Sequence, residues 1–68
     1  MTVEEMKAIV AKFDKALAEG MFKSIGAVSD AEPAMPRFEA ILASGDMGRA
    51  ENFVGDLSNL LVLVGVNP

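Results

Sequence analysis

Apolar residues recur at three- and four-residue intervals near the start of the chain: Val3, Met6, Val10, Phe13 and Leu17, flanked by Ile9 and Ala16. That is the period of a helix with one buried stripe. Thr2 and Glu5 have the spacing of a capping box, in which each side chain takes a free backbone N–H of the first turn. Gly20 stands where a left-handed C-terminal cap is wanted. Start, period and stop agree on a helix over about 2–19.

The pattern then breaks. Between residues 20 and 35, Phe22, Ile25 and Val28 offer one short apolar turn, interrupted by Gly26 and by Ser29-Asp30-Ala31-Glu32-Pro33. Proline inside a helix removes a hydrogen bond and clashes with the preceding turn, so this stretch reads as an irregular connector. Periodicity returns after Pro36, which is tolerated in a helix's first turn. Phe38, Ile41 and Leu42 define a helix over 36–44, and Gly45 ends it. Asp46 suits the N-cap of a third helix over 46–64. There Met47, Ala50, Val54, Leu57, Leu61 and Val64 repeat at three and four, with Phe53 and Leu60 alongside. The two-residue joint Gly45-Asp46 predicts an antiparallel αα-hairpin. Met6 and Met47, both on stripes, are expected in the core.

The segments Lys12-Phe13-Asp14 to Gly20 and Arg37-Phe38-Glu39 to Gly45 share the order basic, Phe, acidic, then Leu, Ala, polar, Gly. The second resembles the turn of tetratricopeptide helical hairpins, but the two copies lie closer together than that family's period of about 34 residues. They read as two helices with the same ending chemistry.

These elements predict one all-α domain of three helices with a C-terminal αα-hairpin. At 68 residues such a chain buries only roughly 60% of the surface its unfolded form exposes. Small domains add disulfides, a metal or a partner subunit. With no Cys and no His, disulfides and the common zinc ligands are excluded. Self-association is the expected remaining support, as a homodimer or other homo-oligomer.

The chemistry-bearing residues are few. The hydroxyls are Thr2, Ser24, Ser29, Ser44 and Ser58, and none has a histidine base. Lys23 and Ser24 are adjacent, and neighbours on a helix do not face each other. Asp30 and Glu32 lack the Asp-x-Asp-x-Asp-Gly spacing of a calcium loop. No glycine-rich phosphate loop is present. The expectation is therefore a non-enzyme with no catalytic residues, no metal and no cofactor. Ten acidic residues against six basic ones, a net charge of -4, oppose binding to a phosphate backbone. A helix-turn-helix regulator is a further alternative, with only Arg49 and Asn52 as base readers beside Glu51 and Asp56. The opening MTVEEMKAIV is acidic and amphipathic, unlike a secretory leader. The longest apolar run, Leu60 to Val66, falls short of the roughly 20 residues that cross a bilayer. A cytoplasmic protein that does not bind membranes is expected.

What remains is apolar surface in excess. From Leu60 onward the third helix is apolar nearly all round, because Val62 and Leu63 lie off its main stripe. Gly48 and Gly55 share Val62's side, and glycine inside a helix costs about 1 kcal/mol against alanine, which suggests close approach by a neighbour. The expected partner interface is Gly55, Leu60, Val62, Leu63 and Val66, with Met21 and Met35 as pliable additions. The competing expectation is that Phe22, Ile25 and Val28 fold over this surface. The predicted function is a non-catalytic protein–protein interaction module, a small adaptor, regulator or assembly factor. The alternative is a non-catalytic subunit of a larger enzyme or particle.

Overall fold

A computed structural model of the chain describes residues 1–23 and 32–68. It is all-α: helix α1 spans Val3–Ala18, α2 spans Met35–Ala43 and α3 spans Met47–Leu63. The sequence-derived boundaries are met to within a residue or two. Each start has a polar cap. Thr2 Oγ1 accepts from the Glu5 N–H at 3.1 Å, and Glu5 Oε1 accepts from the Thr2 N–H at 2.8 Å. The exposed Glu5 carboxyl is held below its ordinary value of 4.5, first by the Thr2 backbone N–H and then by the Thr2 hydroxyl. Asp46 accepts from the Arg49 N–H at 3.0 Å and caps α3.

The cap of α2 comes from elsewhere in the fold. Its N-cap residue, Ala34, has no side chain able to accept a hydrogen bond. Asp14 of α1 supplies the acceptors: Oδ1 lies 2.6 Å from the Ala34 N–H and Oδ2 lies 3.1 Å from the Met35 N–H. One carboxylate thus satisfies two donors that a helix start leaves free and pins α2 to α1.

The ends of α1 and α3 share one device. Gly20 and Gly65 take φ of 76° and 79°, the left-handed conformation that glycine enters without a Cβ clash. Around Gly20, the Met21 N–H reaches back to the Ala16 carbonyl and the Gly20 N–H to that of Leu17. Around Gly65, Val66 reaches Leu61 and Gly65 reaches Val62 in the same pattern. Both are Schellman motifs, whose next residue folds back onto its own helix. Gly45 ends α2 with φ 79°, so the similar segments 12–20 and 37–45 do use one ending chemistry.

Lys12 Nζ donates to the main-chain oxygens of Asn67 and Pro68, beyond the end of α3. Asp14, two residues further along α1 and on its other side, reaches the start of α2. Helices α1 and α3 therefore run in the same direction, and α2 runs against both. Their shared core is Met6, Val10, Phe13 and Ala16 from α1, Ala34 and Phe38, and Ala50, Val54, Leu57 and Leu61 from α3. Phe22 of the connector joins it, its ring 4.9 Å from that of Phe13. No polar or charged side chain is buried among the described residues, and among them no helix is long and apolar enough to cross a membrane.

Two stripe residues depart from expectation. Met47 is 41% exposed and Val3 is 37% exposed. Each is the first residue of its helix, at the end of the bundle where no further turn covers it. Periodicity marks the face of a helix and says nothing about whether a neighbour extends far enough to cover it.

Candidate functional site

The expected interface residues fall into two groups. Leu60, Val66, Met21 and Met35 are partly buried against the chain's own core. Met21 and Val66 are there because they follow the glycines of the two Schellman motifs, and together they line a depression of about 200 Å³ with Lys12, Lys15, Ala16, Glu19 and Asn67. Val62 and Leu63 face outward, 62% and 68% exposed. Gly55 is exposed on Val62's side of α3, and a Cβ built on it would meet nothing within 4 Å. No neighbouring segment of the described chain approaches the backbone at Gly55. Of the competing trio, Phe22 is buried, while Ile25 and Val28 lie outside the described residues.

The exposure of Leu63 follows from helix lengths. At about 1.5 Å per residue, the nine residues of α2 reach only halfway along the seventeen of α3. Counting outward from the Gly45-Asp46 joint, α2 begins level with about residue 56. The α3 turns beyond that level have no α2 beside them.

A second feature lies along the hairpin itself. Arg37, Ala40, Ile41 and Ser44 of the α2 side face Arg49, Phe53 and Asp56 of α3 across an open groove of about 570 Å³. Arg49, Phe53 and Asp56 are spaced by four and three and stack on one face of α3. The Arg37 guanidinium sits over the Phe53 ring, 5.5 Å from its centre, an attraction of about 0.5–1 kcal/mol at an exposed site. The Ser44 hydroxyl donates to the Ile41 carbonyl at 2.6 Å and is occupied. These two are the chain's only arginines. The signal was present in the sequence: Arg37 and Phe53 stand nearly equidistant from the hairpin joint, which sets them side by side once the helices pair.

Among the described residues no cluster of three or more acidic side chains is placed to hold a metal ion. Asp30, Ser24 and Ser29 lie outside them. Thr2 acts as the α1 cap.

No family model, curated protein or solved structure matches the chain.

Proposed function

We propose that this chain is a non-catalytic protein–protein interaction module that pairs with a second copy of itself through the outer flank of α3. The observation carrying this reading is the exposure of Val62 and Leu63 on a helix whose opposite face buries Ala50, Val54, Leu57 and Leu61. Burying an exposed Val or Leu side chain contributes about 1.5–3 kcal/mol. In a two-fold dimer each residue counts twice. The gross gain from four partly exposed side chains is about 4–8 kcal/mol, while association costs at least about 4 kcal/mol. Such a pair is weak: a net of at most about 4 kcal/mol corresponds to dissociation at roughly 1 mM or above, so the pair forms only in concentrated samples. The open backbone at Gly55 favours a close helix crossing, where a larger residue would hold the two copies apart.

The test is molecular mass by light scattering across a concentration series. The wild-type chain should rise toward twice its monomer mass, and Leu63→Asp should stay monomeric at every concentration. Equal masses for the two proteins would reject the assignment.

A further inference from the structure

We propose that the α2–α3 groove is a separate docking site for an acidic segment of a partner protein. Charge is the first argument. The chain carries -4 overall, yet the groove is lined by two arginines and a single carboxylate, Asp56, a local balance of +1. The rest of the chain therefore carries -5. The positive patch lies on an acidic molecule, where it favours an anionic partner locally against a background that repels one.

The kind of cation is the second argument. All four lysines belong to α1 or the turn after it, whereas both arginines line this groove. A guanidinium offers a planar fork that matches a carboxylate in two-point contact. Arg37 is already positioned by Phe53, so less conformational freedom is lost when it pairs. Among the described residues neither guanidinium is paired with a carboxylate.

Shape is the third. Phe53 and Ile41 are half-buried and apolar, and Ala40 keeps the wall low. The groove is open along its length, while a small-molecule site encloses about 70–90% of its ligand. An open trough with an apolar floor and guanidinium groups beside it fits a chain segment that lays one apolar side chain on Phe53 and sets carboxylates against Arg37 and Arg49. Asp56 in the lining and the net negative charge disfavour a phosphodiester backbone.

This site goes beyond the self-pairing flank and is tested apart from it. A fluorescein-labelled synthetic peptide of alternating Glu and Leu-Phe content is titrated with the full chain and followed by anisotropy. The same peptide with Lys for Glu and a single-stranded oligonucleotide serve as comparisons. The acidic peptide should bind the wild type and Val62→Asp equally. The R37A/R49A variant should bind roughly tenfold more weakly or worse. R37K/R49K should fall between them, because it keeps charge and loses the fork. Raising ionic strength from about 0.05 to about 0.5 M should weaken wild-type binding. If loss of the Phe53 contact unfolds the double variant, Arg49→Ala alone carries the test. The proposal is overturned if the acidic peptide does not bind, if the arginine variants bind it like wild type, or if the lysine peptide or the oligonucleotide binds as well. Loss of binding in Val62→Asp would place the peptide on the self-pairing flank and overturn it too.

Discussion

Replacing Asp14 by alanine should destabilise the domain more than any other substitution of a polar residue in α1. Its carboxylate accepts two backbone donors, at 2.6 and 3.1 Å, from the start of a different helix. Hydrogen bonds to a charged group contribute about 1.5–3 kcal/mol each, and loss of a local N-cap costs about 0.5–2 kcal/mol. The site is only partly buried, so water will satisfy the freed amides in part, and about 2 kcal/mol is the reasonable figure. In a domain this small each kcal/mol moves the midpoint by about 4–8 °C, which gives a fall of roughly 8–16 °C. Thermal melts by far-ultraviolet circular dichroism measure it. Asp14→Asn keeps one acceptor without the charge and should lose about half as much. Glu51→Ala, at an exposed position, should change stability by no more than about 0.5 kcal/mol. Hydrogen exchange adds a local readout, since the amides of Ala34 and Met35 should lose protection in Asp14→Ala. A melting point within about 3 °C of wild type, with those amides still protected, would show that α2 is held by its apolar contacts alone.

Gly55→Ala separates folding from association. The added methyl meets open space and removes a helix penalty, so a dilute sample should gain about 1 kcal/mol of stability; self-association measured by sedimentation should weaken, and unchanged association would remove Gly55 from the contact. The capping box gives a pH dependence of known sign. Glu5's folded value lies below 4.5, so its contribution is complete above that pH and disappears as the pH falls through the lowered folded value. The melting gap between wild type and Glu5→Gln should therefore be widest near neutrality and close in acid; a gap that persists at pH below the folded value would assign it to packing.

Local signals carried most of the fold. Capping boxes, left-handed glycines and apolar periods are set by residues within a few positions of one another, and Thr2, Gly20, Gly45 and Asp46 act as their sequence contexts predict. The Asp14 cap lay outside that reach, because its partners are twenty and twenty-one residues away and no periodicity links a carboxylate on one helix to the amides of another. Exposure was readable at Val62 and Leu63, which fall off the stripe and face outward, while Leu60, Met21, Met35 and Val66 pack on the chain's own core. Apolar character at those four positions could not distinguish contact with a partner from a chain turning back on itself at a Schellman motif. Both arginines of the groove were visible in the sequence, but their meeting depends on where the hairpin turns.

The shared direction of α1 and α3 has a mechanical consequence. Residue 1 precedes α1, while residues 67 and 68 meet Lys12 past the middle of that helix, so tension applied between the two ends loads the α1–α3 contact in shear. Many side-chain contacts must then fail together, where an antiparallel pair would peel open one turn at a time. Fused between two other domains, the molecule would resist extension better than an antiparallel helix pair of the same length.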